Sequence, residues 1–229
     1  NHFQKDECRI LPPGEAMLAL TVGSISTRST VGAIANLNEP SPFTRRGPGF
    51  QNYRKPDLVA NGGNDTASGV VSPEIAAVGV SPDGGCISYG NGTSYSTPII
   101  SRLAAHLFDA IPDCTPDLVR AILIHFSDQI SSENFDAATL VNLVGNGFPR
   151  VDRLVKSDKW RQTFYFQGVI DWRQIVMIPF YVPDQLLSRQ VRDKVHIAYT
   201  VAYSPETART LKSGYCKSTI SAKIMRIDS

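Results

Sequence analysis

The stretch Gly90-Asn91-Gly92-Thr93-Ser94-Tyr95-Ser96-Thr97-Pro98-Ile99-Ile100 sets a serine between glycines and the start of an apolar run. Two kinds of chemistry suit that setting. A nucleophile needs an exposed hydroxyl, the positive end of a helix to receive developing negative charge, and glycines that let a substrate backbone come close. A helix N-cap needs only a serine oxygen ahead of a helical pattern. The remaining sequence has to distinguish them.

Partners for a nucleophile are scarce. The four histidines are His2, His106, His125 and His196. His106 lies three turns beyond Ser94 on the same expected helix, about 18 Å away by helical rise. His125 falls in an amphipathic pattern and His196 in a β-type run, so both read as structural. Asp113 with His125 or His196 would complete an α/β-hydrolase order, but Gly92-Thr93-Ser94-Tyr95-Ser96 lacks the final glycine of that elbow. The cysteines Cys8, Cys86, Cys114 and Cys216 are scattered, with no CxxC pair and no histidine at ligand spacing, so no structural zinc is expected. Disulfides stay open, and with them the redox compartment.

The elements that must position Ser94 follow from periodicity. Ile99, Ile100, Leu103, Ala104, Leu107 and Phe108 recur at helical spacing over about 95–108, with Arg102 opposite. Pro98 is expected in the first turn, where its missing N–H costs nothing. This helix is expected to be largely buried. A second helix is expected at about 115–127, with Thr115 as N-cap and Pro116 at the first position. A third is expected at 137–144, ended by Gly145-Asn146-Gly147. Before Ser94, residues 17–26 (MLALTVGSIS) and 57–60 (DLVA) read as strands, 38–56 as a Pro-, Gly- and Arg-rich surface loop, and 70–90 as short strands and turns. After residue 160 the texture changes. TFYFQGVI, IVMIPFYV, VHIAYTVAY and STISAKIMRI are β-branched and aromatic runs that read as a small antiparallel sandwich.

Composition bounds what these elements can serve. The 229 residues are 42% hydrophobic and 19% charged, as in globular chains, and a net charge of +2 gives no reason to expect nucleic acid or an anionic membrane as partner. No apolar run reaches the ~18–20 residues of a membrane-spanning helix. The chain opens NHFQKDE, with no methionine and no leader pattern, and so reads as cut from something longer.

Several pieces in order carry a resemblance to one family. Gly92-Thr93-Ser94-Tyr95-Ser96-Thr97-Pro98 resembles the GTSxAxP signature of the subtilisin-like serine proteases, the subtilases, with Ser96 where alanine is usual. Thr44-Arg45-Arg46-Gly47-Pro48 is similar to the family's serine-arginine-glycine-proline loop. Arg54-Lys55-Pro56-Asp57-Leu58-Val59-Ala60 is similar to its KPDIVAPG strand, with Asn61 in place of the proline. Leu20-Thr21-Val22-Gly23-Ser24 resembles its valine-glycine-alanine strand, and Gly145-Asn146-Gly147 with Val151-Asp152 its closing turn. Together these cover roughly residues 1–155.

The resemblance implies an α/β fold: the C-terminal half of a subtilisin-like parallel-sheet domain over 1–155, followed by a β-sandwich domain over 156–229. It implies Ser94 as nucleophile, with its own N–H donating to the oxyanion and Thr93 lining the site. The family's aspartate and histidine precede the serine and would lie upstream of residue 1. The family also carries an asparagine about two dozen residues before the valine-glycine strand, whose amide is a second oxyanion donor; Asn1 stands at that spacing from Val22. The implied activity is peptide-bond hydrolysis without a cofactor. The implied partners are a protein or peptide substrate and the missing N-terminal half of the catalytic domain, with no nucleic acid or membrane. Calcium is common in the family, but no acidic cluster marks a site here. The rival reading is a non-catalytic pseudoprotease or interaction module that keeps the fold.

Overall fold

A computed structural model describes residues 3, 5–150, 152, 157, 161–181, 196–208 and 215–225. Two parallel strands form its centre: β1 (Val22–Ile25) and β2 (Leu58–Asn61), paired from Val22 opposite Leu58 to Ile25 opposite Asn61. Successive side chains of a strand point to opposite faces, and both faces of β2 are covered. Leu58 and Ala60 pack against α1 (Thr93–Ala110) and α2 (Pro116–His125), through Ile100, Leu103, Leu107, Leu118, Ile122 and Leu123. Val59 and Ile25 pack on the other face against Leu140, Leu143 and Val144 of α3 (Ala137–Val144). Helices on both sides of a parallel pair make this an α/β arrangement. The second edge of β2 is closed by Gly147, whose carbonyl accepts from Val59 N at 3.0 Å.

Local chemistry explains the helix ends. Thr115 caps α2 by accepting from Leu118 N at 3.3 Å, with Pro116 in the first turn. Asp136 caps α3 by accepting from Thr139 N at 2.9 Å, and Gly145 ends it at φ 60°, a conformation glycine adopts freely. An antiparallel hairpin, β3 (Ala77–Val80) with β4 (Ile87–Gly90), leads into α1. A short pair, β5 (Ser127–Asp128) and β6 (Phe148–Pro149), closes the far side.

Four expectations need correction or narrowing. Helix α1 begins at Thr93, so Pro98 sits in its second turn, where it withholds the N–H that would bond the Ser94 carbonyl. The helix buries a single stripe, Ser96, Ile100, Leu103 and Leu107, and leaves Ala105, His106 and Phe108 exposed. The loop over 38–56 is only partly surface. Glu39, Pro40, Ser41, Thr44, Lys55 and Pro56 are buried, and the side chains of Ser41, Thr44 and Lys55 are drawn inward by polar partners on β1 and the approaches to the two strands. The β-sandwich expected over 156–229 is not borne out as a sheet. Among the described residues after Pro149, no strand is formed, and the antiparallel pairing found is the bridge between Thr207 and Cys216. Val169, Trp172 and Ile175 stand exposed there.

Candidate active site

The turn that carries Ser94 is built by two glycines and a strand end. β4 finishes at Gly90, and Gly92 takes the N-cap position of α1 at φ 146°, ψ 157°, a φ in the region that favours glycine. No side chain caps the helix. Ser94 is therefore the second helical residue and not the cap, its hydroxyl is exposed, and none of the described residues bonds to it. Its neighbours are committed elsewhere. The Ser96 hydroxyl, fully buried, donates to the Ala60 carbonyl at 3.1 Å, and the Thr97 hydroxyl donates to the Thr93 carbonyl at 3.0 Å. The helix start thus spends Ser96 and Thr97 on the fold and leaves Ser94 unspent.

The floor under this turn is the C-terminal end of β2. Gly92 N donates to the Gly62 carbonyl at 2.9 Å, and Gly62 N donates to Ile25 at 3.3 Å, so the turn is tied through Gly62 to β1. A Cβ at Gly62 would meet Ser96 Oγ at 2.6 Å and the Gly92 carbonyl at 2.7 Å, so α1 sits directly on that glycine. Beneath it runs a buried polar seam. Ser24 and Ser41 share a hydrogen bond of 2.7 Å, the Ser41 hydroxyl donates to the Gly63 carbonyl at 2.6 Å, and Ser24 N donates to Thr44 Oγ1 at 2.9 Å. Buried hydroxyls fully paired in this way hold one geometry, because each broken bond leaves a desolvated group. Asn61, standing where the family has proline, accepts from Gly63 N at 3.2 Å.

Charge is used to fix the strand entry. Lys55, only 1% exposed, donates through Nζ to Asp57 Oδ2 at 2.6 Å and to the Ala19 carbonyl at 2.7 Å. Asp57 Oδ2 also accepts from Thr21 N at 2.7 Å, so one buried ion pair joins the approaches to β1 and β2. Further away, Glu39 is buried, which raises its pKa, but hydrogen bonds from Ser132, Asn134 and Asn36 outweigh burial and hold the carboxyl below its ordinary value.

Among the described residues no histidine bonds to Ser94. His106 is exposed on α1 and faces Arg102 at 3.5 Å. His125 shares a hydrogen bond with Thr200 Oγ1 at 3.0 Å, and burial, aided by the positive charge of Arg161, pushes its pKa down. His196 is exposed. Asn1 and His2 lie outside the described residues. Thr93 lines a cavity of about 290 Å³ with Thr21, Val22, Gly23 and Pro56. Among the described residues no cluster of three His, Cys, Asp or Glu side chains could hold a metal ion. No described helix is long and apolar enough to cross a membrane. No disulfide joins the four cysteines.

The model of the subtilase family matches residues 5–147, and the chain belongs to that family. The chain is 28% identical over 244 residues to the uncharacterized protein y4bN of Sinorhizobium fredii, a match covering 95% of this chain and 56% of that protein. It is 30% identical over 130 residues to the serine protease AprX of Bacillus subtilis, covering 56% of this chain and 29% of AprX. It thus spans about half the length of the first relative and under a third of the second. Among solved structures it is similar to the CspB protease of Clostridium perfringens, at 22% identity and TM-score 0.45, covering 62% of this chain and 27% of that one. It is also similar to the patellamide maturation protease PatA, at 24% identity and TM-score 0.41, covering 62% of this chain and 43% of that one.

Sequence reasoning missed two parts of the site. The serine–threonine seam under Gly62 has members at 24, 41, 44 and 96, too far apart for any local pattern. A bond from Asn91 to Asp65 at 2.6 Å was likewise invisible, although Asn91 lies within the quoted motif.

Proposed function

We propose that this chain supplies the nucleophile half of a serine endopeptidase, with Ser94 attacking the carbonyl carbon of a peptide bond. The observation that carries the reading is the Ser94 hydroxyl itself: exposed, at the second position of α1, and used for nothing in the fold. The Ser96 and Thr97 hydroxyls, by contrast, are both spent on main-chain carbonyls. Ser94 Oγ gives its proton to an upstream histidine oriented by an upstream aspartate, and a tetrahedral oxyanion forms. The N–H of Ser94, unbonded at the helix start, donates to that oxyanion, and Asn1 supplies a second amide donor. Collapse breaks the C–N bond, the histidine protonates the leaving amine, and water then hydrolyses the acyl-enzyme. No cofactor enters these steps.

In this reading the upstream half of the sheet packs beside Val22 and Gly23 at the start of β1, which with Thr93 line the cavity of about 290 Å³. The reading keeps an appended antiparallel β-sandwich over 156–229 as a proposal, although no strand is formed among the described residues there. The four β-type runs and the Thr207–Cys216 bridge support that assignment.

A serine-directed fluorophosphonate tests the reading. The protein with its upstream segment should label at Ser94, and Ser94→Ala should abolish the label. Residues 1–229 alone should label weakly or not at all, because a serine without an adjacent base is a poor nucleophile near neutral pH. A protein that carries the upstream aspartate and histidine yet fails to label would be a pseudoprotease.

A further inference from the structure

We propose that Asp65 is a positioning residue for the Ser94 turn, acting through Asn91. The inference rests on Ser94 being the nucleophile. Asp65 itself is rigidly held. Its N–H donates to Asn64 Oδ1 at 2.9 Å and its carbonyl accepts from Ile34 N at 2.9 Å. Asn64 is fully buried, and its side chain bonds Ala35 through N–H at 3.1 Å and through the carbonyl at 2.7 Å. Asn64 N in turn donates to Ile75 at 3.0 Å. Three loop segments thus converge on the main chain that carries the Asp65 carboxylate.

That carboxylate reaches the turn. Asn91 Nδ2 donates to Asp65 Oδ1 at 2.6 Å, a short bond of the charge-assisted kind. Asn91 Oδ1 is buried without a partner, close against Gly63, where a Cβ would lie 2.6 Å from it. A stranded amide oxygen is costly, so the amide is not oriented to satisfy its oxygen. Rotating it half a turn would aim that oxygen at the carboxylate, which repels it. The charge on Asp65 therefore dictates which way Asn91 faces. The turn from β4 into α1 is then tied to the loop over 62–65 at two points, by main chain, Gly92 N to Gly62 O, and by side chain, Asn91 to Asp65, with Ser96 Oγ on the Ala60 carbonyl anchoring the helix beyond it. With the Asn91 bond removed, the segment carrying the Ser94 hydroxyl and its N–H shifts between the Gly92 and Ser96 anchors.

The test is a charge swap in the protein with its upstream segment, read by hydrogen exchange and by the fluorophosphonate labelling rate. Asp65→Ala removes the acceptor, and Asn91→Asp sets carboxylate against carboxylate. Each should speed exchange of the amides over 91–95 while β2 and α2 stay protected, and slow labelling about 10- to 100-fold, the loss expected of a reacting group displaced by up to about 1 Å. Asp65→Asn combined with Asn91→Asp restores a donor facing a carboxylate and should recover both readouts. Unchanged exchange over 91–95 in the single variants, or no recovery in the swap, overturns the proposal. Loss of protection throughout β2 and α2 overturns it too, in favour of a general structural role. If the unaltered protein does not label but the exchange pattern and its recovery appear, Asp65 positions the turn and the nucleophile reading falls alone.

Discussion

Gly62 is where the sheet and the Ser94 helix touch, and adding one methyl group there tests that contact. A Cβ on Gly62 would overlap Ser24 Oγ and would lie 2.6 Å from Ser96 Oγ and 2.7 Å from the Gly92 carbonyl, inside the 3.0 Å that real Cβ atoms keep. None of the three neighbours yields cheaply. Moving the Ser24 hydroxyl breaks its buried bond to Ser41, moving the Ser96 hydroxyl breaks its bond to Ala60, each worth about 1 kcal/mol, and the Gly92 carbonyl is main chain. Overpacking of this kind costs about 1–3 kcal/mol, and three stiff neighbours put Gly62→Ala at about 2–3 kcal/mol. For a domain of this size that lowers Tm by about 4–12 °C. Ser96→Ala alone should cost about 1 kcal/mol. The double variant should cost about 1 kcal/mol less than the sum, because the second change removes one of the clashes. Guanidinium unfolding measures all three, and the labelling rate at Ser94 should fall with Gly62→Ala as α1 is lifted from β2. A Gly62→Ala protein within about 0.5 kcal/mol of the parent, with additive effects in the pair, would refute the contact as the determinant.

Two further outcomes follow from the buried charges. Lys55→Met leaves Asp57 without its cation at a buried site and should destabilise by about 3–5 kcal/mol in the same unfolding measurement. The pKa of His125 is pushed down by burial and by Arg161, so the unfolded chain takes up the proton at a higher pH than the native one. Stability should accordingly fall as pH drops through the ordinary histidine value of about 6.5 and level off below the folded value, and His125→Gln should flatten that part of a Tm-against-pH curve.

Much of the site was legible in the chain because its signals are local. Helix α2 announces itself by Thr115, Pro116 and the stripe that follows, and α3 by its spacing and Gly145, since caps and 3.6-residue periodicity are properties of neighbouring residues. The motif around Ser94 was legible for the same reason: its glycines, hydroxyls and proline lie within seven residues. The position of Pro98 was misjudged because the helix gains a turn by docking on β2. The bond from Ser96 to Ala60 and that from Gly92 to Gly62 hold the extra residues helical, and neither is visible in the local pattern. The loop over 38–56 reads as surface from its composition, yet Ser41, Thr44 and Lys55 are drawn inward by polar partners on β1 and its approach.

The sequence by itself determined the glycine–serine motif around Ser94, the three helices, the two central strands and the family. Each of these is written in residues close together or in an ordered set of short motifs. Tertiary structure alone decided that Ser94 is not a cap, that a polar seam from three distant segments lies beneath it, and that Asn91 bonds Asp65. Those facts depend on which buried polar group finds which partner. Desolvation makes that pairing obligatory, but only the folded chain brings the partners together.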